Sequence, residues 1–186
     1  SLTNIKNLKI FISQRNLFDK KKAILKYIKI DNANFSLFRD SLKFFKNDSN
    51  NKFSNKRIEI NKSNIFFKDN LNKTITIIKL SKAFLFLDEK NLLNLFNFKG
   101  EVFNIPFSVN YKKKFDYSEK EEINIIIQAL KLNIFDSYSK EEKNLNGRRS
   151  VISFLNSTMK TDYKIDDGII IFNSNNSRIK NTKINY

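Results

Sequence analysis

Between Phe103 and Lys112 the chain alternates apolar and polar residues one by one. "EVFNIPFSVNYK" puts Phe103, Ile105, Phe107, Val109 and Tyr111 on one side, with Asn104, Pro106, Ser108, Asn110 and Lys112 on the other. Successive side chains of a strand point to opposite faces, so this stretch predicts a half-buried strand. The same period of two governs much of the chain. "INIIIQALKLNIF" keeps Ile123, Ile125 and Ile127 in phase and resumes one residue out of step at Leu130, Leu132 and Ile134, which predicts a bulge near Ala129. "TITIIKLSKAFLFLD" breaks in a similar way near Ile77 and Ile78, and "NLKIFIS" aligns Leu8, Ile10 and Ile12. The pattern reads as mainly β.

Two stretches share one phrase. "IKIDNANFSL" (Ile28 to Leu37) and "IEINKSNIFF" (Ile58 to Phe67) start 58 − 28 = 30 residues apart, with apolar residues at matching positions. In each, a short alternating run meets a polar cluster and alternation restarts five residues on, at Phe35 after Ile30 and at Ile65 after Ile60. Five is odd, so the apolar side chains would change faces unless a kink or bulge intervenes. Asn, Asp and Ser tolerate the backbone this needs. "YKIDDGIIIF" (Tyr163 to Phe172) and "RIKNTKINY" (Arg178 to Tyr186) are looser copies, and four copies point to an elongated repeat architecture.

Elsewhere the period of two fades. "LFDKKKAILKY" and "FRDSLKFFKN" allow at most short helices, the second by the helical spacing of Phe38, Leu42 and Phe45. "NDSNNKFSNK" and "SYSKEEKNLNG" are polar and read as loops between strands of a single unit, residues 1–186. The chain starts at Ser1 and stops within an apolar alternation, so we expect a segment of a longer polypeptide.

The formal charge of +16 raises the question of nucleic acid, since Lys and Arg neutralise phosphates. Abundant Lys, Asn, Ile and Phe beside 3 Gly, 1 Pro and no Trp, His or Cys is also what AT-rich codons produce. Lacking His and Cys, the chain has no imidazole base, no thiol nucleophile and none of the commonest transition-metal ligands. Asp166 and Asp167 in "IDDG" read as a turn, and Glu119, Glu121 and Glu122 as a solvated charge cluster. Three glycines, at 100, 147 and 168, build no phosphate loop. "YKKKFDY" (Tyr111 to Tyr117) and "FDKKKAILK" (Phe18 to Lys26) mix lysines with rings, as suits single-stranded nucleic acid or an anionic lipid surface. Both equally fit charged strand ends. "GRRS" (Gly147 to Ser150) specifies nothing by itself.

The apolar face remains. Roughly ten strands, each giving about three to five Phe or Ile side chains, make a large apolar surface that needs cover. The sequence has neither long amphipathic helices nor many Asn-Gly or Asp-Gly turns. Either the sheet folds on itself as a β-sandwich, or it curls into an open trough whose lining holds something apolar.

The phrases "IKIDNANFSLF", "RIEINKSNIFFKDN" and "RIKNTKINY", together with the strand, Gly turn, strand element in "LNLFNFKGEVFNIPFSV", resemble the AsmA-like family, which includes TamB, over Ile24 to Tyr186. The resemblance implies an elongated, twisted antiparallel sheet curled into an open trough. It further implies non-enzymatic transport of phospholipid or other lipid between the inner and outer membranes of a Gram-negative bacterium, contributing to envelope homeostasis, with no cofactor. Lipid acyl chains are then the partner, in the periplasm, with the inner-membrane anchor in a segment not present here and further envelope proteins as possible partners. The lining residues would be Ile58, Ile60, Ile65, Phe67, Phe103, Ile105, Phe107, Val109, Ile123, Ile125 and Ile127. A basic nucleic-acid or ribosome-associated protein and a structural or adhesive β-repeat are the other readings.

Overall fold

The computed structural model describes residues 2–13, 24–39, 51–117, 119–140, 148–166, 169–174, 177–179 and 182–184. They form one sheet of thirteen strands: β1 (Leu2–Ile12), β2 (Leu25–Phe38), β3 (Arg57–Lys68), β4 (Thr74–Asp88), β5 (Leu93–Val102), β6 (Ile105–Lys114), β7 (Glu121–Ile127), β8 (Leu132–Tyr138), β9 (Arg148–Phe154), β10 (Ser157–Asp166), β11 (Ile169–Asn173), β12 (Ser177–Ile179) and β13 (Thr182–Ile184). Strands pair in chain order from β1 to β10 and on to β12 and β13, while β11 pairs with β10 beside β12. Among the described residues the only helical element is the turn Gln128–Leu130. The sheet stays open and is not closed into a barrel, so the fold is the curled open sheet and not the sandwich.

Openness is visible in the surface area. The chain exposes 13499 Å², whereas mass scaling gives about 9,300 Å² for a compact 22.0 kDa protein. Among the described residues no second layer packs on the sheet, in keeping with that excess.

Among the described residues all pairings are antiparallel except one. β2 and β3 run parallel, and their register matches the sequence repeat residue for residue: Ile28 faces Ile58, Ile30 faces Ile60, Phe35 faces Ile65 and Leu37 faces Phe67. The thirty-residue offset is therefore the step from one strand to its neighbour. Polar positions ladder in the same way. Asn61 Nδ2 donates to Asp31 Oδ1 and Asn64 Nδ2 to Asn34 Oδ1, both at 3.1 Å, and the backbone N–H of Ala33 donates to Ser63 Oγ at 3.0 Å.

The odd spacing is resolved by one inserted residue per strand. Asn32 and Lys62 adopt positive φ, 54° and 46°, the left-handed region that Asn visits readily and Lys does not. Each lets its strand add a residue, so Ile30, Ala33 and Phe35 share one face, as do Ile60, Ser63 and Ile65. In β4 the corresponding residue is Ser81, which sits opposite Lys62 in the register and causes a shift against β5 between Leu80 and Lys82. The break expected near Ile77 and Ile78 thus lies three to four residues further on, at Ser81. The line of insertions ends at β5, where Gly100 faces Leu80. A Cβ on Gly100 would meet Lys79 O and the Phe98 ring, each at 2.7 Å.

Several alternating runs prove to be folded in half. "INIIIQALKLNIF" reverses at Gln128–Lys131, bringing Ile125 opposite Ile134, so a hairpin and not a bulge explains its change of phase. "EVFNIPFSVNYK" divides between β5 and β6 at Phe103 and Asn104, both at positive φ, as a type I′ turn requires. Gly100 lies inside β5 and is not the turn. The looser repeat copies are likewise not kinked strands: β10 with β11 and β12 with β13 pair antiparallel. The helical expectations at residues 17–23 and 40–47 lie outside the described residues, whereas Leu25–Tyr27 and Phe38 belong to β2.

Substituting Gly100→Ala is expected to lower stability by about 1–3 kcal/mol, because backbone and a packed ring both crowd the new methyl. Lys62→Val should cost about 1–2 kcal/mol while Lys62→Asn stays near neutral. Urea titrations of the three variants measure these differences.

Candidate functional site: an apolar face with a polar edge

Directly opposed residues of neighbouring strands share a face. From Leu8 an unbroken apolar row crosses ten strands: Ile30, Ile60, Ala83, Phe98, Val109, Ile125, Ile134, Ile152 and Met159. Flanking rows carry Ile58, Leu85 and Phe96 on one side, and Leu80, Phe107, Ile127 and Leu132 on the other. In the middle of the sheet this face is enclosed by its own curvature. Leu80 and Ala83 keep only 4% and 2% of their surface, packed with Phe98, Ile60, Ile65, Ile78 and Phe107. Toward the ends it opens, with Leu8, Ile10, Phe154 and Met159 exposed.

Ten of the eleven residues expected to line the face lie on it: Ile58, Ile60, Ile65 and Phe67 on β3, Ile105, Phe107 and Val109 on β6, and Ile123, Ile125 and Ile127 on β7. Phe103 does not. Its place in the type I′ turn removes it from the strand alternation, leaves it 79% exposed, and sets it beside Ile77, Lys79 and Glu101 of the opposite face.

The apolar rows give way at one end of the strands to a polar row that the sequence reading missed. Asn94 pairs with Lys113, Lys113 with Glu121, Glu121 with Tyr138, Tyr138 with Arg148 and Arg148 with Tyr163. Asp136 and Tyr111 stand one row in, at either side of Ile123. Lys113 Nζ lies 3.9 Å from Glu121, Arg148 lies 3.8 Å from Asp136 and 5.2 Å from the centre of the Tyr138 ring, and the Tyr163 hydroxyl donates to Asp136 Oδ2 at 2.6 Å. Burial raises the Tyr111 hydroxyl pKa, with Glu121 beside it adding to the effect. Burial also raises that of Tyr163, helped by its bond to Asp136. The signal was present in phase: Lys113 lies two residues beyond Tyr111, and Glu121 two before Ile123.

The segment 51–56, which leads into β3, covers part of this row. Asn94, 1% exposed, donates from Nδ2 to Asn51 O at 3.0 Å and accepts at Oδ1 from the Phe53 N–H at 2.9 Å. Phe53 sits over Tyr111 with ring centres 6.3 Å apart.

On the opposite face several charges are paired. Lys79 meets Glu101 at 2.7 Å, Lys82 and Arg57 both approach Glu59, and Arg149 meets Asp162 at 2.7 Å. Lysines of "YKKKFDY" are engaged too: Lys113 with Glu121 and the Phe115 ring, Lys114 with Asp116. The expected solvated cluster of Glu119, Glu121 and Glu122 forms three ion pairs, with Lys140, Lys113 and Lys120, of which only that of Glu121 is withdrawn from solvent. Most of "FDKKKAILK", like Gly147 and Asp167, lies outside the described residues.

No protein-family model, curated protein or solved structure matches the chain. Function must be argued from the face itself.

Tyr111 and Tyr163 give that face a pH dependence. A hydroxyl that stays protonated in the folded chain above its unfolded pKa of about 10 contributes stability fully below that pH and loses it as pH rises further. Melting temperature is expected to fall above about pH 10, with a shallower fall in Tyr111→Phe.

Proposed function

We propose that this chain carries phospholipid or other lipid along the apolar face of its open sheet, without chemistry and without a cofactor, between the inner and outer membranes of a Gram-negative envelope. One observation carries the reading: among the described residues, no second layer of strands or helices packs on an apolar row continuous over ten strands, whose middle members Ala83 and Phe98 are buried by their own sheet neighbours and whose ends are exposed. Each methylene taken from water contributes roughly 0.8 kcal/mol, so acyl chains are the natural cover. A continuous lining also lowers the barrier to sliding, because a chain leaving one apolar neighbour meets the next about 4.8 Å away. Ten strands give a path of roughly 43 Å. The periplasm is the compartment this reading requires, and envelope proteins are its natural partners.

The basic alternative is less well supported. Nucleic-acid binding needs free cations aligned with exposed rings, and two of the three lysines of "YKKKFDY", Lys113 and Lys114, are instead held by carboxylates and by Phe115.

Mass spectrometry of organic extracts from purified protein tests the proposal. Wild-type protein is expected to carry lipid; a lipid-free extract would overturn it. Ile105→Arg and Ile125→Glu should each reduce recovered lipid about tenfold, since an unpaired charge then stands where acyl carbons would lie. Asn104→Asp, in the β5–β6 turn, should leave it unchanged.

A further inference from the structure

Resting on that reading, we infer that the polar row at the edge of the apolar face receives the headgroup of a zwitterionic phospholipid of the phosphoethanolamine type, its acyl chains lying along the strands. Charge comes first. Lys113, Glu121, Asp136 and Arg148 bring two cations and two carboxylates to one edge, the carboxylates on β7 and β8 flanked by the cations on β6 and β9. A headgroup bearing one phosphate and one ammonium finds a partner for each. An anionic headgroup with no ammonium draws on the cations that Glu121 and Asp136 already pair with and returns no positive charge to either carboxylate.

Availability comes second. Arg148 keeps a third of its side-chain surface in water, and the five N–H donors of its guanidinium outnumber its partners there, the Tyr163 hydroxyl it bonds and Asp136 at 3.8 Å, which leaves donors for a phosphate. The Tyr138 ring and the Tyr163 hydroxyl flank it.

Length comes third. From Tyr111 to Ile105 the apolar side of β6 runs six residues, about 20 Å at 3.3 Å each. One leaflet of a bilayer core is about 15 Å thick. A phospholipid with its headgroup at the polar row therefore lays its tails on the apolar rows within the length of a strand. It travels across strands, headgroup following the edge.

The consequence runs against net charge. A chain of +16 should favour anionic lipid by long-range attraction, whereas the polar row favours the zwitterionic one. Protein incubated with vesicles of equal phosphatidylethanolamine and phosphatidylglycerol, then separated in about 0.5 M salt to screen surface attraction, is assayed for bound lipid by mass spectrometry. Enrichment of phosphatidylethanolamine is expected at about fivefold, below what a fully buried charged hydrogen bond gives. Arg148→Gln should remove the enrichment while total bound lipid persists. Tyr163→Phe, a milder change, should reduce it if Arg148→Gln loses the β signature in circular dichroism. Equal recovery, an excess of phosphatidylglycerol, or undiminished enrichment in folded variants overturns the inference and leaves lipid carriage standing. Absence of any lipid from the wild type overturns lipid carriage itself.

Discussion

Asn32, Lys62 and Ser81 each add one residue to their strand at the same level of the sheet. Without these insertions, the apolar side chains of β2, β3 and β4 would face one way in the first half of each strand and the other way in the second, because strand alternation has a period of two. With them, Ile30 and Phe35, Ile60 and Ile65, and Leu80 and Ala83 all face the same side. The cost is a left-handed backbone at a lysine. It is offset by hydrogen bonds that the kink brings together, above all Ala33 N–H to Ser63 Oγ, both residues buried. Since β2 and β3 are parallel, the same solution repeats thirty residues on with no change of register.

The apolar face and its polar edge are two stretches of the same alternation. Moving along β6 from Ile105 through Phe107, Val109 and Tyr111 to Lys113, every second residue stays on one side while its chemistry changes from aliphatic to charged. An amphipathic surface of this kind needs no special loop or cavity. Strand order sets its breadth, and the position of the first charged in-phase residue sets its border.

Strand content, the face of ten lining residues and the meaning of the thirty-residue offset were legible because they depend on local alternation. What escaped was reversal. Alternation looks alike in one long strand and in two short ones joined by a tight turn, and this chain makes its turns from Phe103–Asn104 and Leu155–Asn156, where Gly is the usual residue. Phe103 was misplaced for that reason. The polar row escaped for another: Glu121, Arg148 and Tyr163 are remote in sequence, and only the stacking of hairpins brings them into line.

A parallel neighbour requires the chain to travel back the full length of the strand before it can start again. Between β2 and β3 that return ends in residues 51–56, moored by Asn94 with Phe53 resting on Tyr111. The single parallel step thus leaves a footbridge over the polar edge at β5 and β6. From β7 to β10 the same edge continues for about 14 Å. At β5 and β6 it runs beneath Phe53, so the one parallel step upstream decides where the polar border is roofed.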